Sequence, residues 1–232
     1  MQSDRNTGTA AAARAPPARL WLTRFALALP ALAIMTAAVP RLVSGLAQEV
    51  AFPATAYMAM NVALPPASYN ATAQVLSHAP PADGETQIAR AEAANRAHEP
   101  AGVTIPVVKA ALTHAPASAR GWILLAELLR ERDPKEGAAA LSLALELAPH
   151  EYYLISPRVQ AGAPLWNYLP QDARETLLDD THLLIANSEF HQTLRALLRT
   201  PSGPALVTRA MAGHPDELRA LNRSLAKERL GL

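Results

Sequence analysis

The sequence contains no cysteine, little glycine and few aromatic residues, and each shortage argues against a class of protein. Without cysteine the chain has no disulfide scaffold, no thiol nucleophile and no thiolate zinc site. The 232 residues include 10 glycines, 3 Phe, 3 Trp and 5 Tyr. Strand-rich folds need β-branched and aromatic strands joined by glycine-containing turns, so this composition disfavours an all-β fold.

The abundant residues instead predict helices. The chain has 50 Ala and 34 Leu, which are among the strongest helix formers. Its 20 Pro residues must separate helices more often than they interrupt them, so the helices are expected to be short. Helix start signals include Asp83, Ser118 and Asp133-Pro134. We therefore predict an all-α fold, with one N-terminal transmembrane helix followed by an array of helix hairpins.

An uncharged apolar segment near the N-terminus predicts a membrane anchor. Residues 25–40 carry no charge, and with the apolar residues on either side they reach the roughly 20 residues that a membrane helix needs. Four arginines precede the segment, which favours a cytoplasmic N-terminus. We predict a cytoplasmic tail at 1–24 and a transmembrane signal anchor at 25–47. In a bacterium the anchor lies in the inner membrane, as a single pass with the C-terminal domain in the periplasm.

Two other interpretations of the N-terminus remain open. Small residues before Gln48 are compatible with cleavage of a signal peptide. The Arg-rich, acid-poor leader is also compatible with a mitochondrial presequence. Beyond the anchor, residues 50–82 contain no Asp, Glu, Lys or Arg but several Pro. We expect an extended Pro-rich connector at 48–82, lying against the domain or near the bilayer, with a short helix at 69–78. A helical, repeat-like domain is predicted at 83–232.

Proline spacing suggests helical repeats in this domain. Pro80, Pro116 and Pro149 each end a similar segment, and they are 36 and 33 residues apart. The unit from Pro116 to Pro149 resembles a tetratricopeptide repeat. The resemblance rests on Trp122, Leu125, Ala126 and Leu129 in the first helix, and on Ala138 or Ala139, Leu141 and Ala144 in the second. The second helix lacks the aromatic residue of the family pattern. The resemblance implies stacked helix pairs that bind protein partners.

The sequence offers little that would support catalysis. Phosphate loops, dinucleotide fingerprints, nucleophile elbows and paired-His zinc helices are absent from it. One polar cluster, formed by Asp179, Asp180, His182, Glu189 and His191, is the basis of an alternative in which the chain is an exported helical enzyme. Our leading prediction is no enzyme, no catalytic residue, no cofactor and no metal site. The nearly neutral charge of the domain also argues against nucleic acid as a partner.

Aromatic residues concentrate between the possible repeats and the C-terminal helices. On a concave helical surface such side chains, with an arginine, could grip a peptide or a sugar chain. The predicted partner-binding residues are Tyr152, Tyr153, Arg158, Trp166 and Tyr168. We thus expect a membrane-anchored scaffold or binding protein with protein partners, in assembly of an envelope complex or of polysaccharide export machinery. A small accessory subunit of a membrane complex is a further alternative.

Overall fold

The computed structural model describes residues 18–59 and 63–214, together with residues 216, 219 and 223. Every regular element in these ranges is helical, which confirms the predicted all-α fold. The α-helices are α1 (Ala18–Ala59), α2 (Pro66–Leu76), α3 (Gly84–Arg96), α4 (Ala101–His114), α5 (Ala119–Leu129), α6 (Pro134–Leu147), α7 (Ile155–Leu165), α8 (Gln171–Ala186), α9 (His191–Leu198) and α10 (Gly203–Ala210). Short 3₁₀ helices at Tyr152–Leu154, Trp166–Tyr168 and Ser188–Phe190 precede or follow α7 and α9. Most of the predicted tail at 1–24 and most of the residues after 214 in the predicted domain lie outside the described residues.

The chain forms two compact units, residues 1–42 and 43–232. In the first unit, every side chain described between residues 28 and 42 is exposed. The part of α1 from Ala28 to Met58 is long and apolar enough to cross a membrane. The predicted anchor at 25–47 therefore falls within one continuous helix, which extends beyond both of its predicted ends.

In the second unit, neighbouring helices along the chain pack side by side. The predicted caps begin three of them: the side chains of Asp83, Ser118 and Asp133 accept hydrogen bonds from the first turns of α3, α5 and α6. The close approach of α3 and α4 depends on Gly84, because a Cβ there would lie 2.7 Å from the carbonyl oxygen of Ala111. The start of α3 thus lies against the end of α4, as in an antiparallel hairpin. A continuous core runs from α3 to α10.

The stretch 48–82 differs from the extended connector that we expected. Residues 48–59 continue α1, and α2 occupies Pro66–Leu76. Both pieces bury small or apolar side chains against α3: Ala47 and Ala51 cluster with Leu76, and Met58 clusters with Tyr69. Burial of this apolar surface favours the helices. Pro66 does not oppose α2, because it lies in the first turn, where its missing N–H costs nothing.

Candidate partner-binding cleft

A cleft of about 150 Å³ opens along α3, α5 and the beginning of α7. Its apolar floor contains Ile123 and Leu124 of α5 and Leu154, which are almost completely buried. Met58, at the end of α1, contributes to the wall, and Arg96 of α3 donates a hydrogen bond to the Met58 carbonyl oxygen at 3.4 Å. The volume is small for a drug-sized ligand but is sufficient for one large side chain of a partner.

A charged network crosses the polar side of the cleft. Glu92 of α3 is 8% exposed and forms ion pairs with two arginines, with Arg120 Nη2 at 2.5 Å and Arg96 Nη2 at 3.2 Å. Arg120 Nε also donates to Glu92 at 2.6 Å. These charge-assisted bonds fix the side chains before any partner arrives. Asn95 and the exposed Glu127 complete this side and lie 3.4 Å apart, amide nitrogen to carboxylate oxygen.

Tyr153 is the one predicted partner-binding residue that lines the cleft. It precedes α7 in the 3₁₀ helix Tyr152–Leu154, and 54% of the residue is exposed. Tyr152 has different surroundings, because its hydroxyl donates to Glu189 and its ring lies 5.0 Å from that of Phe190. The carboxylate of Glu189 raises the pKa of the Tyr152 phenol by accepting its proton in a hydrogen bond. The adjacent tyrosines therefore belong to different parts of the surface.

Arg158 is misplaced in the predicted partner-binding set. Arg158 is only 1% exposed, and its guanidinium forms an ion pair with Asp180 of α8. Nη1 also donates to the carbonyl oxygen of Ala148 at 2.6 Å. A partner on the surface cannot reach this guanidinium, whose role is to join helices. Burial raises the pKa of Asp180 to about 6, and the charge of Arg158 opposes that rise only in part.

Trp166 and Tyr168 lie in a third environment, at the 3₁₀ helix Trp166–Tyr168. The Trp166 ring is partly buried, with the guanidinium carbons of Arg174 and Arg209 at 5.6 Å and 5.1 Å from its centroid. These cation–π contacts and a 3.0 Å hydrogen bond from Arg174 to the Trp166 carbonyl connect α8 and α10 to the turn. Tyr168 is 49% exposed. The predicted aromatic cluster is consequently divided, and only Tyr153 belongs to the cleft.

The polar cluster proposed for an enzyme is also divided. Asp180 is committed to the ion pair with Arg158, and the ring of His182 lies 5.1 Å from that of His214. Within the described ranges, no group of three or more His, Cys, Asp or Glu side chains is arranged to hold a metal ion.

Sequence reasoning overlooked the charged residues of the cleft. Glu92 and Arg96 are four residues apart on one helix, a spacing that permits an ion pair, but an exposed helix produces the same pattern. Only the packing of α5 against α3 brings Arg120 to Glu92 and shows that the network is shielded.

Comparisons of the chain with protein-family models, with curated proteins and with solved structures find no match. Among the surfaces of the described residues, the cleft at Tyr153 combines an apolar floor with a fixed charged network.

Proposed function

We propose that this chain is a non-enzymatic, membrane-anchored binding protein that holds a protein partner in the cleft at Tyr153. The observation that carries the proposal is an exposed aromatic ring beside an apolar floor and a fixed charged network. Aromatic and arginine side chains in partly enclosed sites are the residues that most often dominate interface energy. A sugar chain is a second class of ligand that a tyrosine-lined cleft can accept.

The architecture we propose for the domain is tetratricopeptide-like. The helices α3, α5 and α7 alternate with α4 and α6 along the chain, and side chains from the first three, together with the turn before α7, line the cleft. Stacked helix pairs present such a shared surface, with one helix of each pair on the inner side. The proposed role is assembly of an envelope complex, or of polysaccharide export machinery, with the chain as a scaffold or accessory subunit.

A matched pair of tyrosine variants tests the binding role. The full-length tagged chain, purified in mild detergent, is compared with Tyr153→Ala and with the control Tyr168→Ala, since both tyrosines are about half exposed but only Tyr153 lines the cleft. We expect Tyr153→Ala to weaken retention of co-purifying proteins by roughly 5- to 150-fold, as for an important interface residue. Full retention by Tyr153→Ala, or loss in Tyr168→Ala alone, would contradict the proposal. His182→Ala should leave retention unchanged.

A separate experiment tests the proposed periplasmic location. A reporter enzyme that is active only outside the cytoplasm, fused after Leu232 and expressed in a bacterium, should be active. The protein should also resist extraction from membranes by carbonate at high pH, because an apolar helix anchors it. An inactive reporter would indicate that the C-terminal domain lies in the cytoplasm. A soluble product that begins near Gln48 would indicate a cleaved signal peptide.

A further inference from the structure

The residues that follow the predicted anchor at 25–47 include a long segment without charge. None of residues 50–82 is Asp, Glu, Lys or Arg, whereas the next 50 residues include 12 of them. The described part of this uncharged segment comprises the end of α1, residues 63–65, the helix α2 and the turns that follow it. Its buried side chains face α3, so its remaining side chains are the outer surface of this part of the domain.

Part of the outer surface of the segment is apolar as well as uncharged. Close to it on α1, Leu46 is 59% exposed, and within it Val50, Phe52 and Tyr57 are 68%, 66% and 46% exposed. Four large exposed hydrophobic residues thus fall within twelve positions. Ala67 and Ala71 are exposed on α2. We call these exposed residues of α1 and α2 the patch; exposed apolar side chains at this density favour a covering partner, because water solvates them poorly.

The position of the patch in the chain identifies its partner. Its α1 residues belong to the stretch Ala28–Met58, which is long and apolar enough to cross a membrane, and α2 follows that stretch in the chain. A bilayer covers apolar side chains without requiring charge, and its interfacial region accommodates aromatic rings such as those of Phe52 and Tyr57. Charged side chains resist transfer into that region, which accounts for their absence from the 33 residues of the segment.

We propose that the exposed apolar side chains of residues 50–58 and 63–71 rest in the interfacial region of a lipid bilayer, so that the domain lies against the membrane. Contact at Ala71 would go beyond the whole apolar stretch Ala28–Met58, and contact at Tyr57 would go beyond the predicted anchor at 25–47. A helix that left the bilayer at Leu46 along the membrane normal would carry Tyr57 about 16 Å into water, at 1.5 Å per residue.

The absence of natural cysteine allows a direct test with single labels. Tyr57→Cys and Ala71→Cys report on the patch, and Glu131→Cys is the control because the Glu131 side chain is 84% exposed on a charged part of the domain. Each full-length variant receives a nitroxide and is reconstituted into phosphatidylethanolamine and phosphatidylglycerol vesicles. Paramagnetic resonance then compares collisions with oxygen, which enriches in lipid, and with a water-soluble nickel chelate.

We expect labels at 57 and 71 to collide more with oxygen than with the chelate, and the label at 131 to show the opposite. Chelate accessibility at 57 and 71 equal to that at 131 would place the patch in water and overturn the proposal. Shielding of both labels from both reagents would show that protein covers the patch, and would also overturn it. Neither outcome concerns the cleft, so the proposed binding function is tested separately.

Discussion

Arg158 and Asp180 form a bidentate ion pair that joins α7 to α8. Nε of Arg158 lies 2.7 Å from one carboxylate oxygen, and Nη2 donates to the other at 2.8 Å. The two side chains are 1% and 6% exposed. The guanidinium also binds the carbonyl of Ala148, just after α6, so one side chain connects three consecutive helices.

Removal of this arginine should destabilise the domain strongly. We expect Arg158→Ala to lower the free energy of unfolding by about 3–5 kcal/mol, because it leaves a buried carboxyl group without its partner and opens a cavity. Denaturant unfolding of the full chain in mild detergent, followed by circular dichroism, measures the change. The control Arg130→Ala affects an exposed arginine with a loose 3.8 Å ion pair and should alter stability by less than about 1 kcal/mol. Equal effects of the two substitutions would contradict the assigned role.

The raised pKa of Asp180 predicts a pH dependence of stability. The folded carboxyl titrates near 6 and the unfolded one near 3.8, so between these values the folded state binds more protons. The contribution of the Asp180 carboxyl group to the free energy of unfolding is complete below pH 4 and is lost as the pH rises through 6. We compare the unfolding free energies of the parent and of Asp180→Asn. The parent value minus the variant value should fall by about 1–3 kcal/mol between pH 4 and pH 7. A difference that grows with pH would show that the ion pair dominates burial.

Gly84 should tolerate no side chain. Gly84→Ala places a Cβ 2.7 Å from the backbone of Ala111, which cannot move without separating α3 from α4. We expect a loss of roughly 1–3 kcal/mol in unfolding free energy, as in other overpacked sites. Gly102→Ala is the matched control, since its nearest new contacts would be at 3.6 Å with the end of the Arg132 side chain. It should be neutral or slightly stabilising, and a loss as large as that of Gly84→Ala would refute the explanation.

Ala126 tests the packing of the unit that resembles a repeat. The residue is completely buried on α5, which packs closely against α6. Ala126→Leu should lower the unfolding free energy by roughly 1–3 kcal/mol through overpacking. Thermal melts of the variant and of Leu147→Ala, a substitution at a 40% exposed site, provide the comparison. A near-neutral Ala126→Leu would mean that the two helices do not approach there.

The sequence was informative wherever local chemistry determines structure. Caps such as Asp83 and Asp133 fix helix starts through bonds to residues three positions away, so α3 and α6 could be predicted closely. The helical state of residues 48–59 could not be predicted from the sequence. It depends on burial of Ala51 and Met58 against α2 and α3, which are distant in the sequence.

The candidate site was predictable only in part for the same reason. An arginine beside aromatic residues is a common signature of a binding surface, and Arg158 has that signature. Its actual partner is 22 positions away on α8, so the sequence gives no local sign that the charge is buried. Tyr152 and Tyr153 illustrate the same limit, since adjacent residues differ in surroundings once the turn before α7 is formed.

Burial of Ala47 within α1 constrains the alternative in which a signal peptide is removed before Gln48. A peptidase cleaves an extended strand, whereas Ala47 is helical and only 6% exposed, and the next residue, Gln48, donates a hydrogen bond to Thr86 of α3. Cleavage between these two residues therefore has to precede docking of this part of α1 onto α3. In that alternative, cleavage and folding compete for the same chain, and a domain that docks first keeps α1 intact.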